Sequence, residues 1–348
     1  MVSPLTDPHL QWFRRVEHTA MTPVQKSRLL RVGVSALFDP HDTPHARTFL
    51  RALAVARNFI PGLDRVEWCF LDDGANAARG AEVARQMIDR EVDLVVGHFS
   101  SDAALSAAAV YRQAGIALLT PAATIDCLTL EHSNVFRFCP SDRQLASDLL
   151  AWLKNRDWRV LHIAADDSAH GQALARSIAV AAQQAGLRQV HEPGQAQVEV
   201  FAGRLQASRE HWLARRRSGS KRPLVLTDDA ASPYLGSAQA DDCDTYVIGF
   251  GVAGPAEESE GSSCHATDLH RQLYGAMPQT YYRESLLMFY VLAVLANSNG
   301  RKAELLDALS NTTFDTPLGL VGFDRGECRG AFNSVWKLGE GGLVPVTE

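Results

Sequence analysis

The sequence is sparing in the features that assign a protein quickly. Its six cysteines, at 69, 127, 139, 243, 264 and 328, never fall in C-x-x-C spacing, which excludes a zinc ribbon and a thioredoxin motif. Long apolar runs are missing. The stretch 286–296 includes Tyr290 and is far short of the ~20 residues that a membrane-spanning helix needs. Charge of one sign is missing too: 34 basic against 40 acidic residues leave a net charge of −6, with no general grip on nucleic acid or anionic lipid. With 46% hydrophobic and 21% charged residues, intrinsic disorder is excluded. The first 30 residues carry Asp7, Arg14, Arg15, Glu17, Lys26 and Arg28, without an apolar h-region or a small-residue cleavage site. As written they do not read as a secretory leader, so the cysteines are expected to be reduced thiols in a cytosolic protein.

What is present is alternation. At ~150 residues per domain, 348 residues suggest two domains. Apolar runs at 30–38, 66–71, 93–99 and 116–120 read as buried strands. Helical spacing separates them at 47–58, at 77–88 with Asn76 as N-cap, and at 102–113 with Gly115 ending the helix. A second block repeats the pattern, with strands at 159–165, 223–227 and 245–250 and a helix at 171–185. Residues 204–220 read as a charged helix, 251–264 as a loop, 281–297 as a buried helix, and 319–323 and 332–338 as strands. The expectation is therefore α/β: two doubly wound parallel sheets with helices on both faces. Ligands of such sheets sit beyond the carboxyl ends of the strands. That directs attention to Phe38-Asp39, Asp72-Asp73, Ser100-Ser101, Ala122–Thr124, Asp166–His170, Asp228-Asp229 and Gly249–Gly254.

Most of the chemistry these residues suggest fails its context test. Gly249–Gly254 matches G-x-G-x-x-G, but Pro255 and an acidic run follow where a helix N-terminus would have to face phosphate. Asp166, Asp167, Ser168 and His170 contain triad residue types, yet triad members come from separate loops and no G-x-S-x-G elbow is present. His41 and His45 flank Pro44, and Cys264, His265 and His270 lack a fourth ligand, so no metal or other cofactor is expected. Arg215–Arg217 with Lys221-Arg222 reads as a solvated helix end without nucleic-acid features. There remain hydroxyls and backbone amides at Ser100, Ser101, Ala122, Thr124 and Thr129. Helix capping and carboxylate binding use the same groups, and spacing alone does not choose between them.

Residues 92–129, VDLVVGHFSSDAALSAAAVYRQAGIALLTPAATIDCLT, resemble the leucine/isoleucine/valine-binding protein family of solute receptors. The likeness is gapless across Gly97-His98, Ser101, Tyr111, Gly115-Ile116 and Pro121–Thr124. Weaker echoes run through Val135–Arg137, Ser141-Asp142, Asp167…His170-Gly171 and Thr316–Gly319…Phe323-Asp324, while the first ~30 residues look unlike the family.

The resemblance implies a type I periplasmic-binding-protein fold, with two lobes closing on a small ligand about a three-crossing hinge. The lobes would be 30–141 with 270–329 and 142–269 with 330–348, preceded by an extension at 1–29. Positions matching Ser101 and Thr124 would hold a ligand's α-carboxylate, and those matching Ala122 and Thr124 its α-amino group. Ser100 and Phe38 complete that side. The aromatic lid of a Tyr-Gly pair falls on His170-Gly171. The family's acidic partner for the ammonium falls near Gly251, leaving Asp228 or Asp229 to replace it. A family disulfide is lost, because its positions match Ala75 and Ser100, in keeping with a cytosolic protein.

The implied function is non-catalytic binding of an amino acid or derivative, with no enzyme activity, no nucleic acid and no membrane insertion. The alternative is a cytosolic amide or amino-acid sensor; a cleft enzyme ranks below both. An ABC permease or a cytosolic regulator is the corresponding partner, and a homodimer stays open. Location is cytoplasmic as written, or periplasmic if a leader is missing.

Overall fold

The apolar runs become the strands of two sheets, built in turn as the chain advances. The structure, a computed structural model, describes residues 28–38, 44–250, 262–298 and 300–346. The first block comprises β1 (Leu30–Ala36), α1 (Pro44–Ala56), β2 (Val66–Asp72), α2 (Ala77–Asp89), β3 (Leu94–Gly97), α3 (Ser101–Gln113), β4 (Ala117–Thr120), α4 (Cys127–Glu131) and β5 (Val135–Arg137). The second comprises α5 (Asp142–Asn155), β6 (Val160–Ala165), α6 (Ala169–Gln184), β7 (Arg188–Gln189), β8 (Val198–Ala202), α7 (Leu205–Arg217), β9 (Leu224–Leu226) and β10 (Thr245–Gly249). Next come α8 (Ser262–Tyr274), α9 (Tyr282–Ser298), α10 (Lys302–Asn311), β11 (Phe314–Thr316), β12 (Gly319–Val321), β13 (Phe323–Asp324) and β14 (Glu327–Cys328). The chain ends its described course with β15 (Ser334–Gly339) and β16 (Gly342–Pro345).

Two units result. The described residues up to Cys139 and from Ser262 to Ala331 form one; Pro140 to Phe250 with Phe332 to Val346 form the other. The stretch 262–269, expected with the second lobe, therefore groups with the first. It is helical, not loop: α8 packs on α1, and the Tyr282 hydroxyl donates to the Ala266 carbonyl at 3.1 Å.

The first sheet has the order β13-β14-β5-β4-β3-β1-β2 and the second β16-β15-β10-β9-β8-β6-β7. Each sheet is mixed, because β13 runs antiparallel to β14, and β15 antiparallel to both β10 and β16. The five leading strands of each unit are parallel and follow one scheme. In each, the first strand lies between the second and the third, so the order reverses between β1 and β3 and again between β6 and β8. Helices leave opposite faces of the sheet at such a point, and a crevice opens beyond the strand ends.

Helices cover the inner strands of both sheets. In the first unit Val83, Met87, Ala104, Ala107 and Leu118 share one core, and α9 is buried nearly all round, with Phe289 5.2 Å from Phe49. In the second, Leu149, Leu153, Leu174 and Ile178 cover one face and Trp212, Leu226 and Trp336 the other. One backbone contact is exacting. Gly97 has φ +114°, and a Cβ there would lie 2.0 Å from the Ser35 carbonyl oxygen. Gly97→Ala is expected to cost about 2–4 kcal/mol in urea unfolding, since it adds left-handed strain to a backbone clash.

Candidate functional site

In the first unit the strand ends deliver polar side chains to one place. Ser100, extended at φ −87°, caps α3 by accepting the Ala103 N–H at 3.2 Å. Its hydroxyl is thereby engaged as an acceptor, and the capping reading holds for this residue. Ser101 is the first residue of α3, and its hydroxyl has no partner among the described residues. Thr124 is buried, and its hydroxyl is likewise without a partner among the described residues. Ala122 is buried in the turn after β4, where its N–H and that of Ala123 reach the Thr120 hydroxyl oxygen at 3.3 and 3.1 Å. Phe38, half-buried, donates its N–H to Asp72 at 2.9 Å and meets Phe70 edge-on at 6.0 Å.

Two buried charge clusters hold these turns. Asp73 Oδ2 accepts the Ser35 hydroxyl at 3.0 Å and lies 2.7 Å from His98 Nδ1, while His98 Nε2 is 3.2 Å from the Tyr111 hydroxyl. Burial pushes the Asp73 carboxyl up, but the His98 bond and charge, the Ala75 N–H and the Ser35 hydroxyl together hold it below the ordinary carboxylate range. A carboxylate only accepts, so Nδ1 of His98 carries a proton. On the other side, the buried Arg137 guanidinium donates to the carbonyls of Ala123 and Ile125 at 3.2 and 2.8 Å and pairs with Glu327. Thr129 is absorbed here, 3.0 Å from Arg137 and 2.5 Å from Glu327, and so leaves the set of groups open to a ligand.

The second unit gathers carboxylates about one imidazole. His170, in the first turn of α6, has Nε2 3.3 Å from Asp228 Oδ1, an ion pair without an aligned hydrogen bond. Asp228 is fully buried in the turn after β9, and neither carboxylate oxygen accepts a hydrogen bond among the described residues. Asp229 is half-buried beside it. Burial pushes His170 down, but the charges of Asp228, Asp229 and Asp142 more than reverse this and take its pKa up to about 10. The backbone below is tightly fitted: at Gly171 a Cβ would lie 2.2 Å from Asp166 Oδ1 and 2.8 Å from the Ala202 carbonyl.

The triad types do not assemble. The Ser168 hydroxyl donates to Asp166 at 2.5 Å and accepts the Gly171 N–H at 3.0 Å, a helix cap, while His170 turns to Asp228. The basic run is a solvated helix end only in part: Arg217 and Lys221 are exposed, but Arg215 is buried and Arg216 half-buried. Arg215 pairs with buried Glu199, Arg216 with Asp242, and Lys221 and Arg222 with backbone carbonyls. His45 packs edge-on against Tyr281 at 4.5 Å, and His270 Nδ1 is 2.8 Å from the Ala276 carbonyl. Asp39, His41 and residues 251–254, with Gly251, lie outside the described residues; Gly249 closes β10 and Phe250 is buried. Cys69, Cys127, Cys139, Cys243 and Cys328 are free thiols. No helix among the described residues is long and apolar enough to cross a membrane.

Residues 52–214 match the family described as "Periplasmic binding protein". A Leu/Ile/Val-binding protein homolog 3 of Brucella melitensis is 30% identical over 130 residues, 37% of this chain and 35% of that protein. The match thus spans about a third of the relative's length. Over 92% of its length the chain shares the fold of an ABC transporter substrate-binding protein of Desulfitobacterium hafniense solved with Leu, at 20% identity and TM-score 0.76, covering 100% of that chain. A solute-binding protein of Rhodopseudomonas palustris solved with 3,4-dihydroxybenzoic acid gives 13% identity and TM-score 0.76, covering 92% and 96%. The fold is the α/β architecture of type I periplasmic binding proteins.

The His170 ion pair sets the sign of one pH effect. A folded pKa of about 10, against ~6.5 unfolded, gives stability that is complete below ~6.5 and is lost as pH rises through about 10. Urea melts of the wild type and His170→Gln are expected to differ most near pH 6 and to converge near pH 10. A pH-independent difference would contradict the pairing.

Proposed function

We propose that this chain is a non-catalytic receptor for an amino acid or amino-acid derivative. The observation that carries the reading is two hydroxyls beyond strand ends that engage no partner among the described residues, Ser101 at the N-terminus of α3 beside the β1/β3 switch point and Thr124 in the turn after β4. Helix N–H groups and hydroxyl donors attract a carboxylate at such a place. The Leu/Ile/Val-binding name of the Brucella relative and the Leu bound to the Desulfitobacterium structure support the same class of ligand.

In this reading Ser101 and Thr124 hold the carboxylate, with Ser100 positioning the helix end through its cap. Ala122 and Thr124 take the ammonium in the first unit; in the second, Asp228 and Asp229 are the candidate carboxylates for a cation, Asp228 facing His170 at 3.3 Å. Phe38 is the first unit's contact for the side chain, and in the second unit His170 stands where the resemblance puts an aromatic lid. The partner in this reading is the permease of an ABC transporter. The comparisons favour this receptor over the cytosolic sensor.

A thermal-shift panel of amino acids, their amides and benzoates tests the class. At a hundred times Kd a ligand adds about 2.7 kcal/mol of stability, a readily measured shift. Stabilisation by benzoates alone would overturn the amino-acid reading, and recovery of a chemically altered ligand would overturn the non-catalytic one. The double variant Ser101→Ala, Thr124→Ala is expected to weaken binding of the best ligand at least about a hundredfold, because it removes two hydrogen bonds to a charged group. Unchanged affinity in calorimetry would place the carboxylate elsewhere.

A further inference from the structure

Side chains from β1, from the turn after β2 and from α3 meet at one imidazole in the first unit. His98 follows β3 directly, and the turn that carries it is permitted by the side-chain-free approach of Gly97 to Ser35. Nδ1 faces Asp73, from the turn after β2, at 2.7 Å; Ser35 of β1 donates to the same carboxylate oxygen at 3.0 Å. Nε2 faces the Tyr111 hydroxyl at 3.2 Å, and Tyr111 belongs to α3, the helix whose first residue is Ser101. The carbonyl of His98 accepts the Thr120 hydroxyl at 3.3 Å, and Thr120 in turn receives the N–H groups of Ala122 and Ala123. Ser35, Asp73, His98, Tyr111 and Thr120 are each no more than 1% exposed.

A core has no thermodynamic need for such a cluster, since apolar residues of equal volume often stabilise as well as a buried charged pair or better. What the imidazole supplies is direction. Its two nitrogens lie on opposite sides of a rigid ring, so Asp73 and Tyr111 fix its orientation, and the backbone at 98 fixes the turns on either side. We infer that His98 is a positioning residue for the carboxylate site: through Tyr111, in the last turn of α3, it fixes the placement of that helix, and through Thr120 the turn at 121–124, so that Ser101 and Thr124 keep one spacing. This rests on the receptor reading above, and it assigns a role to a residue that touches no ligand.

The test compares affinity for leucine and for leucinamide, which differ only in the carboxylate. The wild type is expected to prefer leucine by at least about tenfold, because hydrogen bonds to a charged acceptor are the stronger ones. His98→Leu, checked for folding by circular dichroism and thermal melting, should bring that ratio close to one while changing leucinamide affinity less. His98→Asn, whose amide N–H takes the place of Nδ1–H toward Asp73, should restore part of the preference. A general loss of structure would lower both affinities together and leave the ratio alone. Should His98→Leu fail to fold, Tyr111→Phe carries the test, with an expected fall in the ratio of about threefold.

A folded His98→Leu or Tyr111→Phe that retains the wild-type ratio overturns the inference, as does an Asn variant no better than Leu. A wild type that binds neither these two compounds nor any other amino acid or its amide is a separate result, and overturns the receptor reading together with the inference.

Discussion

Strands covered by helices leave their polar groups one outlet, the strand ends. The inner strands β3 and β4 are short, apolar and fully buried, and helices cover them, so the polar groups of these strands emerge at their ends. Everything a ligand could recognise is therefore pushed to the turns, and the reversals of strand order between β1 and β3 and between β6 and β8 decide where those turns part. Phe38, Ser101 and Thr124 in one unit, and His170 and Asp228 in the other, all stand just beyond strand ends.

The same burial explains which parts of the fold could be read in the amino-acid sequence. Runs such as 30–36 and 94–97 announce buried strands, and Asn76 caps α2 as its type and position predict, accepting the N–H groups of Ala78 and Arg79. Strand β8 hides itself by carrying Glu199 in the middle of VEVFA, a charge that breaks the apolar run. That carboxylate is acceptable only because Arg215 and His211 reach it from α7, and nothing local in the sequence announces either partner. Helix α8, read as loop, opens on Ser-Ser-Cys-His, residues with no strong helical preference, and it is held by its packing on α1.

The candidate site was legible to the same degree. Position after a strand suffices to nominate Ser101, Thr124, His170 and Asp228, because parallel topology makes strand ends into sites. It does not separate a hydroxyl in use from one that is spare: Ser100 is spent on its cap and Thr129 on Arg137 and Glu327. The cluster about His98 was missed for a different reason. Its members lie 13 to 63 residues apart, and only the fold brings them together. The available signals were a serine inside the apolar run of β1 and a histidine immediately after that of β3.

Gly171 has a meaning for how such a protein changes its preferences. With a carboxylate oxygen 2.2 Å and a carbonyl oxygen 2.8 Å from where a side chain would begin, position 171 is closed to every other residue. Its neighbour His170 lies in the first turn of α6, half-buried, with its backbone path held by that closed position and by the Ser168 cap. The two adjacent residues thus divide the work of heredity between them. One is frozen, so an exchange of the other acts on the buried charge of Asp228 and not on the path of the helix.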